Sequence, residues 1–190
     1  MPRVVLGITG GIAAYRAADI ARQLSKNGID VVAVMSESAK EFITPLTIRT
    51  LTNNPVYSDM FHTAKEPGSK IEHIDLARNC DLILVAPATA NFIGKVASGI
   101  ADDLLTTTVM ASEKPVALAP AMNKAMWENP IVAENVRKLK KAGYVFIGPK
   151  KGGLACGEYG AGHIEDTEEI VRAALAILKK KIKSSRVRRY

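Results

Sequence analysis

Two hydrophobic regimes take turns along this 190-residue chain. Short stretches that are apolar almost throughout, Arg3 to Ile8, Asp30 to Met35, Asp81 to Ala86, Pro115 to Ala119 and Tyr144 to Ile147, predict strands buried on both faces. Between them the apolar positions recur at helical spacing. Ile12, Tyr15, Ile20 and Leu24 predict a helix that stops near Asn27-Gly28, and Ser36 to Ile43 and Pro45 to Thr52 predict two short helical pieces. Ile71 to Arg78 reads as two helical turns after an exposed loop at His62 to Lys70, which contains Pro67 and Gly68. Thr89 to Ser98 and Asp102 to Ala111 read as helices separated at Gly99. Pro130 to Ala142 reads as a helix with a basic outer face, Arg137, Lys138, Lys140 and Lys141, and Glu165 to Lys181 as a closing amphipathic helix with acids at its start.

Both-face-buried strands alternating with helices predict an α/β domain: a doubly wound, mostly parallel sheet with helices on both faces, Rossmann-like in plan. The length suits one domain, placed at residues 1–178. Residues 179–190 differ in character. Lys179 to Tyr190 holds seven Lys or Arg and no acid, and taking those seven from the 26 basic residues leaves 19 against 19 acidic ones. The formal +7 charge is therefore a basic tail on a neutral body, and it gives no reason to expect specific nucleic-acid binding. No apolar run approaches the ~18 residues that span a bilayer, and the start lacks the long apolar region of a signal peptide, so a cytoplasmic location is expected. Cys80 and Cys156 fit neither a disulfide framework nor a metal cluster.

In a doubly wound sheet, ligands sit beyond the carboxyl ends of the strands, which directs attention to the segments there. After the first strand, Gly7-Ile8-Thr9-Gly10-Gly11-Ile12 lets backbone N–H groups approach an anion, although it lacks the G-x-G-x-x-G dinucleotide spacing. After the second, Ser36 and Ser38 offer hydroxyls that bind a phosphate or cap the next helix, and Glu37 keeps a ribose contact open. Ala86-Pro87-Ala88-Thr89-Ala90-Asn91-Phe92 supplies small residues against which a flat ring can lie, with Thr89 and Asn91 as polar handles. Ala119 to Trp127 packs the one tryptophan, two methionines and Asn123 at a strand end. His73 has acids beside it in sequence, and Cys80 reads as a buried small hydrophobe. Gly152 to Gly162 then concentrates five of the 14 glycines around the thiol of Cys156. So many glycines are costly to order and point to close approach or movement, here a flap.

Together these residues resemble the homo-oligomeric flavin-containing cysteine decarboxylases. The likeness rests on Gly10-Gly11-Ile12, on Pro87-Ala88-Thr89-Ala90-Asn91, on Pro120-Ala121-Met122-Asn123-Lys124-Ala125-Met126-Trp127, and on Ala155-Cys156-Gly157. It implies a flavoprotein with FMN held by Gly10, Gly11, Ile12, Ser36, Thr89, Ala90, Asn91, Phe92 and Ala121, and no metal. His73 and Cys156 would be catalytic, as base and as proton donor, and Asn123 and Met126 would bind substrate. The implied reaction converts 4′-phosphopantothenoylcysteine to 4′-phosphopantetheine in coenzyme A synthesis. The thiol is oxidised to a thioaldehyde, carbon dioxide leaves, and the resulting enethiol is reduced by the flavin. The resemblance also implies a homo-oligomer built from trimers, or a dodecamer of them, with sites between subunits, and a phosphopantothenate-cysteine ligase on a separate chain. A peptidyl-cysteine decarboxylase, a flavin prenyltransferase and a non-enzymatic FMN-binding regulatory protein are the alternatives. Two positions depart from the pattern: Phe92, where the family often has Thr, and His163, where it usually has Arg or Lys.

Overall fold

The computed structural model describes residues 1–60, 72–153, 157 and 159–187, with side chains to residue 180. Six parallel strands form the central sheet: β1 (Arg3–Ile8), β2 (Asp30–Met35), β3 (Val56–Tyr57), β4 (Leu82–Ala88), β5 (Val116–Pro120) and β6 (Val145–Phe146). Their order across the sheet is β3-β2-β1-β4-β5-β6, so the winding reverses between β1 and β4. The doubly wound parallel sheet expected from the apolar runs is thus the fold of this chain.

The strands are apolar at consecutive positions because both faces are covered. In β1, Val4, Leu6 and Ile8 enter one core cluster and Val5 enters the other, as the two-residue period of a strand requires. The first cluster takes in α1 (Arg16–Lys26), through Ala17, Ile20, Ala21 and Leu24, and α8 (Thr167–Val187), through Ile170, Val171, Ala174 and Leu178. The second is closed by α3 (Glu72–Arg78), α4 (Ala90–Ala97), α5 (Leu104–Met110) and α7 (Pro130–Lys141). Two helices remain: α2 (Pro45–Thr52), whose Ile48 joins the first cluster, and the single turn α6 (Lys124–Trp127). Polar caps set several boundaries. Asp103 and Thr106 form a reciprocal capping box at α5, and Asn129 caps α7 ahead of Pro130.

Several regions differ from the sequence reading, three of them near the cleft or the chain's last helix. Residues 36–43 form a 3-10 turn at Glu37–Glu41 in place of a helix start. The glycine-rich stretch is flanked by a two-stranded antiparallel ribbon, β7 (Lys150–Gly153) and β8 (Tyr159–His163), which takes up most of what reads as loop. Glycines suit a ribbon paired through its backbone. The final helix runs unbroken across position 178 to Val187.

Candidate active site

At the winding reversal, the carboxyl ends of β1, β4 and β5 open onto a cleft of about 710 Å³. Gly10, Gly11, Ile12, Ala13 and Tyr15 line it after β1, Ser38 after β2, and Pro87, Thr89, Ala90 and Asn91 at the end of β4. Ala121, Met122, Asn123 and Met126 line it after β5, and Gly153, Gly162, His163 and Ile164 complete it from the ribbon. Nine residues singled out in the sequence thus meet on one surface: Gly10, Gly11, Ile12, Thr89, Ala90, Asn91, Ala121, Asn123 and Met126.

The β1 and β4 walls are fastened together by Thr9, which is 3% exposed. Its hydroxyl donates to the carbonyl of Pro87 at 2.8 Å and accepts from the N–H of Thr89 at 3.1 Å. Thr89 in turn caps α4, accepting from the N–H of Phe92. Gly10 allows the segment after β2 to close in. A Cβ there would lie 2.4 Å from Ser38 Oγ and 2.7 Å from the Ser38 carbonyl carbon.

Two expected flavin contacts lie elsewhere. Ser36 does not line the cleft: its Oγ accepts from the N–H of Ala39 and caps the 3-10 turn, and this turn presents Ser38 instead. Phe92 is 3% exposed and packs in the second core cluster, because a helix starting at Ala90 turns its third residue away from the cleft.

On the β5 side, Asn123 caps α6, its Oδ1 accepting from the N–H groups of Ala125 at 2.7 Å and Met126 at 3.4 Å. That assignment makes the amide nitrogen of Asn123 its donor end. Met122 donates its N–H to the carbonyl of Gly162 at 3.0 Å, which docks the ribbon onto the β5 loop. The stem of Lys124 crosses Gly160, where a Cβ would come within 2.6 Å of Lys124 Cδ. Beside the ribbon, Lys150 pairs with Asp166. The hydrogen bond from Lys150 holds the Asp166 carboxyl below the usual range, with help from its charge and those of Arg16 and His163. His163 is the one Asp, Glu, Lys, Arg or His among the described lining residues.

Cys156 lies outside the described residues. His73 sits half-buried in α3 and is not among the residues lining this cleft. Its neighbour Glu72 is buried, and neither carboxylate oxygen has a hydrogen-bond partner among the described residues. Cys80 is 3% exposed and donates its S–H to the carbonyl of Ala77, in keeping with a buried small hydrophobe. Thr9 was not distinguishable as a site residue in the sequence; its one signal is a hydroxyl directly after an apolar strand. Among the described residues no helix is long and apolar enough to cross a membrane.

Known proteins resemble this chain in sequence and in fold. The "Coenzyme A biosynthesis bifunctional protein CoaBC" of Bacillus subtilis is 48% identical over 171 residues, which are 90% of this chain and 42% of that protein. The chain therefore spans less than half the length of such curated relatives. The "Probable phosphopantothenoylcysteine decarboxylase" of Streptococcus mutans is 44% identical over 172 residues, 90% of this chain and 95% of its own length. Among solved structures, a PPC decarboxylase cysteine-to-serine mutant complexed with pantothenoylaminoethenethiol superposes with a TM-score of 0.88 at 31% identity, covering 94% of this chain and 98% of that one. The FMN binding protein AtHal3 gives 0.84 at 32% identity, over 94% and 97%. The peptidyl-cysteine decarboxylase EpiD gives 0.78 at 27% identity, over 92% and 99%. With residues 1–179 matching its pattern, the chain belongs to the Flavoprotein family.

Proposed function

We propose that this chain is an FMN-dependent phosphopantothenoylcysteine decarboxylase. The observation that carries the reading is one cleft in which a wall of small residues faces the Asn123 cap and the β7–β8 ribbon. The cleft fits a flavin: its volume lies in the usual range for cofactor sites, and Pro87, Ala90 and Ala121 leave room for a flat ring. Gly10 and Gly11 keep the backbone open where an anion would approach. The relatives in coenzyme A synthesis and the FMN-binding structural neighbour support the same assignment.

FMN, when bound, supplies the two-electron oxidation of the substrate's CH₂–SH and returns those electrons after carbon dioxide has left. The chain's own groups do the rest. The turn at Gly10 to Ile12 holds an anionic phosphate by backbone N–H groups, while Thr89, Ala90, Asn91 and Ala121 bound the ring. Asn123, its donor end set by the α6 cap, holds the departing carboxylate. Met126 lies one turn along the same helix and packs against the substrate. His73 takes the proton that leaves in the oxidation, and Cys156, carried between β7 and β8, gives one to the enethiolate.

His73 does not line the cleft of its own chain, and it serves a neighbouring subunit in a homo-oligomer built from trimers. Ile12, Tyr15 and Met126, between 47% and 60% exposed at the cleft, are apolar surface that such a neighbour covers. The enzyme works in the cytoplasm.

The test is a mass-loss assay on 4′-phosphopantothenoylcysteine and on cysteine-ending peptides, with protein checked for bound FMN. Loss of carbon dioxide from the phosphorylated thiol is the expected result. Protein that takes up no FMN overturns the reading, and decarboxylation of peptides alone transfers it to the peptidyl substrate.

A further inference from the structure

Two phosphomonoesters have to be accommodated if the proposed function holds, that of FMN and that of the substrate, and the turn at Gly10 to Ile12 offers a backbone cradle for one. Near the cleft, fixed charge gathers around Asp166, just before α8. There Lys150 is paired with Asp166, so this acid is already matched. Arg16 and His163 both lie within electrostatic reach of the same carboxylate. Neither forms an ion pair with a described residue.

Their local geometry suits a ligand. The Arg16 guanidinium stacks 5.3 Å from the ring centroid of Tyr15, which lines the cleft. Its Nε is buried without a hydrogen-bond partner, an arrangement that costs free energy unless something else accepts. His163 lines the cleft itself. Its Nδ1 lies 2.7 Å from the carbonyl of Ile164, which can only accept, so Nδ1 carries the hydrogen and Nε2 is left for an occupant. The ring is held against β7 by the absence of a side chain at Gly152, where a Cβ would stand 3.0 Å from His163 Cγ. A guanidinium presents paired donors that match phosphate oxygens, and the free imidazole nitrogen offers a second polar contact.

We propose that Arg16 and His163 form a phosphomonoester subsite on the α8 side of the cleft, distinct from the glycine turn. The inference rests on the decarboxylase reading and names which side chains select a phosphorylated ligand. The phosphate comes from the substrate or from FMN, and the experiment separates these sources.

Arg16→Gln, His163→Gln and the conservative Arg16→Lys are compared with wild type in two arms. In the first, holoprotein is dialysed to equilibrium against FMN or riboflavin and the retained flavin is measured. In the second, KM is measured for 4′-phosphopantothenoylcysteine and for pantothenoylcysteine, which lacks the phosphate. Arg16→Gln and His163→Gln are expected to weaken one phosphorylated ligand at least tenfold while its unphosphorylated counterpart changes less than twofold. Arg16→Lys should restore most of the loss. A selective change in the first arm assigns the subsite to FMN, and one in the second assigns it to substrate. Equal effects on phosphorylated and unphosphorylated ligands in both arms, or no effect, overturn the proposal. If Arg16→Gln fails to fold, His163→Gln decides by the same criteria. Wild-type protein that decarboxylates neither substrate would refute the functional reading, while the flavin arm would still report on the subsite.

Discussion

Gly162 and Met122 are joined in a way that only glycine permits. The carbonyl of Gly162 accepts the N–H of Met122 at 3.0 Å, and a Cβ on Gly162 would lie 2.3 Å from the Met122 carbonyl oxygen. Gly162 also adopts φ +119°, a region that side-chain-bearing residues rarely enter. Gly162→Ala should therefore cost about 2–4 kcal/mol and lift β8 from the β5 loop. Thermal unfolding would show the loss, and weaker flavin retention would show that the ribbon closes the site. An alanine variant with wild-type stability and flavin content would mean that the ribbon docks by other contacts.

Thr9 makes a different prediction because it is replaceable in shape but not in hydrogen bonding. Thr9→Val keeps the volume while taking this acceptor from the Thr89 N–H and leaving the Pro87 carbonyl only the longer bond from the Thr9 N–H, at 3.4 Å. A loss of about 1–3 kcal/mol in urea unfolding is expected. Thr9→Ser, which keeps the hydroxyl, should lose less.

Asp30 yields a prediction in pH. Burial pushes its carboxyl up, but hydrogen bonds from Arg3, at 2.5 Å, and Asn54, at 2.8 Å, outweigh burial and hold it below the usual carboxylate range. The folded state then binds this proton less readily than the unfolded chain. The contribution is present above the unfolded value and is lost as pH falls through the lower folded one. Asp30→Asn should be less stable than wild type at pH 7 by about 1 kcal/mol, with the gap closing below about pH 3.8. A gap that persists at low pH would assign the effect to packing.

The two halves of the proposed chemistry should separate by mutation. Cys156→Ser is expected to retain carbon dioxide release and accumulate the enethiol, whereas His73→Asn should stop before oxidation. Mass spectrometry of the products checks both. Unchanged pantetheine formation in either variant would remove that residue from its role.

The sheet was legible because strands buried on both faces leave an unbroken apolar run, as in Val4 to Ile8. Elements held mainly by backbone pairing left no such mark. Val56–Tyr57 is a two-residue edge strand, and β7 and β8 contain four glycines between them, so no alternation betrays them. The cleft was legible as a set of strand ends but not at the level of single side chains. Ser36 and Ser38 are equivalent in sequence, and only the 3-10 turn decides that one caps and the other faces the cleft. Likewise, Thr89 to Phe92 reads as one contact strip until the start of α4 rotates Phe92 into the core.

The pairing of β1 with β4 sets Val4 against Leu82, so the two central walls of the cleft are far apart in synthesis. The glycine turn follows the first strand of the sheet and the ribbon follows the last, so the cleft is lined from both ends of the domain. A nascent chain lacks a complete flavin cleft until nearly the whole domain has emerged. Ligand capture is thereby tied to completion of the domain, and flavin bound to the finished fold draws the folding equilibrium forward.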